Sequence, residues 1–135
     1  MASARHLSRV IVMQSFFEHE ARGGDFQQIL DYNLKEYGFD IPDPEFAHHL
    51  AKKMEQHYAA IREIMKKHAP EWPLEKMDPV ERAILVLGIS ELLDPEKDVP
   101  VNVALNEAIE MAKTYGDEMS SKFINGVLNA VAHRN

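Results

Sequence analysis

The sequence contains no cysteine among its 135 residues. This absence excludes a disulfide framework, a thiolate nucleophile and a zinc–thiolate site. The chain also lacks an apolar run near the roughly 18 residues that a membrane span needs, and its N-terminus lacks the apolar region of a signal peptide. We therefore expect a cytoplasmic protein that makes no contact with a membrane.

Positive charge is also scarce. Lys and Arg total 15 whereas Asp and Glu total 22, so the formal net charge is −7. A chain with this balance repels a polyanion at long range, which argues against tight, unaided binding to nucleic acid. The balance still allows a local basic patch.

Hydrophobic residues, by contrast, make up 45% of the chain, enough for a real core in one domain over residues 1–135. The segment Ala83–Ile89 has no polar side chain. It lies within a predicted helix, Asp78–Leu93, which starts with Pro79 and stops at Asp94 and Pro95. A helix that is apolar all round must be surrounded by other helices. Because glycine costs about 1 kcal/mol in a helix, Gly88 indicates close approach of one of them.

Amphipathic patterns and capping residues predict further helices on both sides of this central helix. Before the central helix, one helix follows Ser3, a second is capped by Asp25, and a long third runs from Pro44 to Ala69. After it, one helix runs from Pro100 to Gly116, and the last is capped by Ser120 or Ser121. Trp72, between two prolines, is expected to fill the core. About seven helices without a strand pattern predict an all-α fold, a compact single-domain bundle around a buried central helix.

The sequence also lacks side chains at the spacings typical of catalytic residues or metal ligands. The third helix carries four histidines, but none of their pairs has the spacing of metal ligands with a carboxylate between them. Glu107 and Glu110 are one turn apart without a nucleophile nearby. We expect no enzyme, no cofactor and no metal.

The N-terminal helix starts with Arg5, His6 and Arg9, ahead of the acids of the same segment. Cations at a helix N-terminus oppose the macrodipole by up to about 1 kcal/mol each. Two interpretations remain open at this point. Either the residues form a solvated helix end, or they hold phosphates.

Several strings carry a resemblance to a known family. In the second half they are 80–85 (VERAIL), 91–93 (ELL), 99–113 (VPVNVALNEAIEMAK), 115–116 (YG) and 121–128 (SKFINGVL). In the first half, 5–9 (RHLSR) is followed by 14–17 (QSFF). Together they resemble the NusB family of transcription antitermination proteins, whose arginine-rich opening and Gln-x-Leu-Tyr sequence correspond to the two N-terminal strings.

The resemblance implies an all-helical RNA-binding adaptor. NusB proteins pair with the small-subunit ribosomal protein also called NusE. Together the two bind single-stranded boxA RNA, mainly of ribosomal RNA operons, and act in the RNA polymerase antitermination complex. An alternative from another class is a protein-interaction module, self-associating as a homodimer, that has lost most RNA binding.

The resemblance also implies roles for particular residues. Expected RNA contacts fall on two regions, the N-terminal helix and the start of the last helix, and comprise Arg5, His6, Arg9, Phe17, Tyr115, Lys122 and Phe123. Glu81 and Arg82 fall where the family meets its ribosomal-protein partner. We expect the cationic and aromatic residues to form one small corner that faces an unpaired RNA strand.

Overall fold

The computed structural model describes residues 3–37, 43–71, 73–94 and 98–133. Within these ranges the chain forms six α-helices and one 3₁₀ turn, Leu74–Lys76, and no strand. The helices are α1 (Ala4–Arg22), α2 (Phe26–Tyr37), α3 (Pro44–His68), α4 (Pro79–Leu93), α5 (Val101–Tyr115) and α6 (Glu118–Ala132). The all-α prediction is confirmed, and the described residues form six α-helices rather than about seven. Trp72 lies outside the described residues.

Helix α4 is the central helix, as predicted. Every residue from Ala83 to Glu91 is buried, and the helix packs against α1, α3, α5 and α6. Its N-terminus is capped by Asp78, whose carboxylate accepts hydrogen bonds from the backbone N–H groups of Val80 (2.8 Å) and Glu81 (3.4 Å). Burial of apolar surface on all sides of one helix therefore organises the whole bundle.

Other helices approach α4 closely at Gly88, which confirms the prediction from the sequence. A Cβ atom built on Gly88 would lie 3.2 Å from Leu128 Cδ1 on α6 and 3.5 Å from the Cβ of Ala108 on α5. The absence of a side chain at this position lets α5 and α6 pack closely against α4.

The turn between α1 and α2 and the N-terminal cap of α6 both depend on local backbone features. Gly23 and Gly24, with φ angles of 80° and 94°, make the turn between α1 and α2; this backbone region favours glycine. The cap of α6 differs from the prediction: Asp117 rather than Ser120 or Ser121 occupies the N-cap position, and its carboxylate accepts from the Ser120 backbone N–H at 2.8 Å. Ser121 is instead buried inside the helix.

No helix in the described parts of the chain combines the length and the hydropathy that crossing a bilayer requires.

Candidate nucleic-acid interface

Arg9 is buried in the core rather than exposed to solvent. Its side chain and that of Glu91 are each 2% exposed. The guanidinium Nε donates to Glu91 Oε1 at 2.8 Å and Nη2 donates to Oε2 at 3.0 Å, the bidentate geometry of a strong charge-assisted pair. Because its guanidinium already faces a buried carboxylate, Arg9 is poorly accessible to RNA, and the expected contact between them stays a prediction. Its role here is to fasten the start of α1 to the end of α4.

Glu107 on α5 extends this pair toward the surface. Its Oε1 lies 3.7 Å from Arg9 Nη1, and its Oε2 lies 2.5 Å from His6 Nδ1. The His6 side chain is 27% exposed and therefore only partly available to a ligand. Two of the three basic residues of the N-terminal motif thus make contacts within the fold, joining α1 to α4 and α5.

Arg5 is the member of the motif that remains open to solvent. Its side chain is 45% exposed and its Nη2 lies 3.7 Å from Asp98 Oδ2, a separation at which an exposed pair contributes little. Its guanidinium carbon lies 4.6 Å from the centroid of the Phe46 ring, and that of Arg9 lies 5.0 Å from the same ring. Phe46 therefore makes a cation–π contact with the Arg5 side chain.

Phe17 and Tyr115 come together in a small cleft at the other end of α1. The cleft, called here the aromatic cleft, has a volume of about 130 Å³ and is lined by Met13, Gln14, Phe17, Val80 and Tyr115. Phe17 is 38% exposed and Tyr115 is 41% exposed, so part of each side chain is accessible to solvent. A lining that combines apolar side chains, two partly exposed aromatic rings and the amide of Gln14 suits a flat ring that carries polar edge atoms.

The expected single corner is absent, because the cationic and aromatic residues are spread over the surface. Arg5 and Phe17 are 12 residues apart on α1, which corresponds to about 18 Å along the helix axis and about a third of a turn around it. Lys122 and Phe123 are on α6, where neither lines the aromatic cleft. An RNA strand that contacted all of these residues would have to follow an extended path.

A second depression, called here the acidic groove, lies between the starts of α4 and α6. It has a volume of about 330 Å³ and is lined by Lys76, Met77, Asp78, Glu81, Asp117, Met119, Ser120 and Phe123. A hydrogen bond from the Ser120 backbone N–H lowers the pKa of the Asp117 carboxyl group, so this group is ionised at neutral pH. Met119 is 79% exposed and adds apolar surface to the rim. The groove combines negative charge with apolar contact area.

Arg82 follows Glu81 in the sequence but does not line this groove. Its Nε donates to Glu20 on α1 at 2.6 Å, and its Nη1 donates to the carbonyl oxygens of Leu74 (3.2 Å) and Met77 (3.3 Å). The side chain is only 15% exposed. Its side chain joins α1, the 3₁₀ turn and α4, whereas Glu81 lines the groove. The expected contact of Arg82 with a partner stays a prediction.

His48 of α3 contacts two polar residues of α2 rather than another histidine. His48 Nε2 lies 2.7 Å from Asp31 Oδ1 and its Nδ1 lies 3.1 Å from Gln27 Oε1, both on α2. Over residues 3–37, 43–71, 73–94 and 98–133, no three His, Cys, Asp or Glu side chains are grouped so that they could hold a metal ion.

Comparison with known proteins agrees with the resemblance noted in the sequence. The model of the NusB family matches residues 6–133. The transcription antitermination protein NusB of Roseiflexus castenholzii is 37% identical over 135 residues, which cover 99% of this chain and 95% of that protein. Its counterpart from Oceanobacillus iheyensis is 33% identical over 127 residues, which cover 94% and 97%.

Solved structures show the same architecture. NusB of T. maritima superimposes with a TM-score of 0.86 at 34% identity, covering 100% of this chain and 94% of that one. A structure of the antitermination factors NusB and NusE in complex with double-stranded RNA matches with a TM-score of 0.85 at 26% identity, covering 98% of each chain. The family model and the relatives extend over nearly the whole sequence, so this chain belongs to the NusB family.

Proposed function

We propose that this protein is an RNA-binding antitermination factor. In this proposal it pairs with the small-subunit ribosomal protein also called NusE, and the pair binds single-stranded, boxA-like RNA of ribosomal RNA operons within the RNA polymerase antitermination complex. The observation that carries the proposal is the aromatic cleft, which Phe17 and Tyr115 line together and where both side chains are partly exposed. Support also comes from the related structure that contains NusB, NusE and RNA.

The aromatic cleft fits an unpaired base better than a duplex. Single-stranded RNA is recognised by stacking its splayed bases on aromatic side chains, and each stack is worth about 1–3 kcal/mol. The Gln14 amide offers a donor and an acceptor to the edge of such a base. A base in the cleft would also contact Val80, which belongs to the central helix and is therefore held by a rigid element.

Arg5 is proposed to contact a phosphate of the same RNA. In Arg5→Ala, we expect RNA affinity to fall a few-fold at physiological salt. The slope of log K against log salt should decrease by about 0.7, the value for one phosphate contact on a single strand. Arg22→Ala removes an exposed arginine at the opposite end of α1 and should leave both quantities unchanged. Fluorescence anisotropy at four salt concentrations measures them; equal slopes for Arg5→Ala and the wild type would remove Arg5 from the interface.

The acidic groove is proposed to bind a basic, partly apolar segment of the ribosomal protein. Three carboxylates on the lining, those of Asp78, Glu81 and Asp117, would attract such a segment. The exposed side chain of Met119 would pack against its apolar residues. The net charge of −7 acts in the same direction, because it favours a basic partner at long range.

Charge reversal in the groove tests this assignment. Glu81→Lys should weaken partner binding by about tenfold, mainly through a slower association rate at low salt, since it places a like charge opposite a basic segment. Glu110→Lys makes the same change on the exposed surface of α5, outside the groove, and serves as the matched control. Surface plasmon resonance with immobilised ribosomal protein gives both rates. Equal effects of the two variants would show that only net charge matters.

The whole proposal is tested by titrating labelled boxA-like RNA with this protein, in the presence and absence of the ribosomal protein. We expect weak RNA binding by the protein alone and much tighter binding with the partner. Binding alone should be weak because Arg9 is buried and His6, which contacts Glu107, is only partly exposed. Failure of the partner to increase affinity would contradict the proposal. Sedimentation at several concentrations should then reveal whether a homodimer forms, as the alternative of a self-associating interaction module requires.

A further inference from the structure

Sulfur is confined almost entirely to the core of this protein. The sequence contains no cysteine and seven methionines. Of the six methionines that the structure describes, five are at most 6% exposed, namely Met13, Met54, Met65, Met77 and Met111. Met119 differs from them, since it is 79% exposed. Within the described ranges it is therefore the only methionine that a solute can reach without an opening of the fold.

Met119 lies in the first turn of α6, on the lining of the acidic groove. It is the second residue of the helix and lines the groove together with Asp117 and Glu81. A thioether is apolar, but its sulfur is polarizable and carries lone pairs that react with peroxides. The chain has no cysteine thiolate that would consume the oxidant first. An accessible, oxidisable side chain thus lies on the surface proposed to bind the protein partner.

We propose that Met119 is a site of reversible oxidation by peroxides, and that its oxidation weakens binding of the protein partner. A sulfur lone pair attacks one oxygen of hydrogen peroxide, so an S–O bond forms as the O–O bond breaks. The hydroxide that leaves takes the proton of the transferred hydroxyl group, which gives water and a sulfoxide. The sulfur is oxidised by two electrons and the peroxide is reduced. Methionine sulfoxide reductases reverse the change, with two thiols supplying the electrons and forming a disulfide as water leaves.

Oxidation would change the chemical character of the acidic groove. The sulfoxide oxygen is a polar acceptor, whereas the thioether packs against apolar groups without a hydrogen bond. This second part of the proposal rests on the proposed function, in which Met119 packs against apolar residues of the ribosomal protein. Burial of an unpaired oxygen at that contact should weaken partner binding by about five- to hundredfold. The fold should remain intact, because the core methionines stay reduced.

Limited treatment with hydrogen peroxide, followed by mass spectrometry of peptides, tests the site itself. We expect sulfoxide to form at Met119 at least about tenfold faster than at the five buried methionines, because those react only when the fold opens locally. Circular dichroism checks that the treated protein stays folded. Bound ribosomal protein should slow the reaction at Met119 by covering it. Equal rates at Met119 and at the buried methionines would overturn the proposal.

Binding to the ribosomal protein before and after treatment tests the consequence. Surface plasmon resonance should show weaker binding after oxidation, and incubation with methionine sulfoxide reductases and dithiothreitol should restore it. Met119→Leu removes the sulfur, so the affinity of this variant, at whatever level, should not change on treatment. Unchanged affinity of the oxidised wild type, or an equal loss in Met119→Leu, would overturn the effect on binding. Failure of the untreated protein to bind would instead defeat the proposed function, and the mass spectra would still decide whether Met119 is the oxidation site.

Discussion

Arg9→Met should lower the free energy of unfolding by about 3–5 kcal/mol, because it leaves the Glu91 carboxylate buried without its cation. Both side chains are 2% exposed and share two hydrogen bonds, so solvent cannot replace the lost partner. A change of this size corresponds to a fall in melting temperature of roughly 10–20 °C for a chain of this length. Chemical denaturation followed by circular dichroism measures the free energy of unfolding, and a thermal scan measures the melting temperature.

The double variant Arg9→Met/Glu91→Leu gives the decisive comparison. Replacing both members of a buried ion pair by apolar residues is often neutral or stabilising, so most of the lost stability should return. Arg22→Met, at an exposed position of the same helix, should change stability by less than about 0.5 kcal/mol. A variant Arg9→Met that unfolds like the wild type but binds RNA poorly would contradict the structural role and restore Arg9 to the RNA interface.

Removal of both rings of the aromatic cleft should have the largest effect on RNA binding. Phe17→Ala and Tyr115→Ala should each weaken binding by about five- to hundredfold, in line with 1–3 kcal/mol per stacked base. If both rings contact one base, the double variant should lose less than the sum of the two single losses. Fluorescence anisotropy at one salt concentration, with the partner present, measures all three variants.

The controls for this prediction separate stacking from loss of fold. Phe17→Tyr and Tyr115→Phe keep the rings and should keep most of the affinity. Tyr32→Ala removes an aromatic side chain that is 62% exposed on α2, outside the cleft, and should bind like the wild type. RNA affinity that stays unchanged in Phe17→Ala and Tyr115→Ala, with unchanged melting temperatures, would refute the assignment of the cleft.

Local sequence signals predicted the architecture well. The apolar run Ala83–Ile89, the cap at Asp78 and the small residue at Gly88 all act within one helix or on its immediate neighbours, so the sequence alone reveals them. The N-terminus of α6 illustrates the limit of this reasoning. Asp117, Ser120 and Ser121 are all good capping residues, and only the backbone path shows that Asp117 takes the position.

The site could be predicted only in part, because its geometry depends on contacts between distant residues. Arg9 and Glu91 are 82 positions apart, and no periodic pattern links them. The one available signal was an acid, Glu91, two residues after the apolar segment Ala83–Ile89. Phe17 and Tyr115 were both identified through the family resemblance, but their shared cleft with Gln14 and Val80 required the packing of α1, α4 and α5.

Val80 and Glu81 are consecutive residues of α4, yet the first lines the aromatic cleft and the second lines the acidic groove. An RNA strand and a protein chain seated in these two depressions would therefore lie on neighbouring parts of the surface. Cooperative assembly would then need no change of shape in the subunit between them. The buried helix α4 would act as a rigid support that holds the RNA and the protein partner side by side. A favourable contact between these two ligands would then supply the coupling free energy.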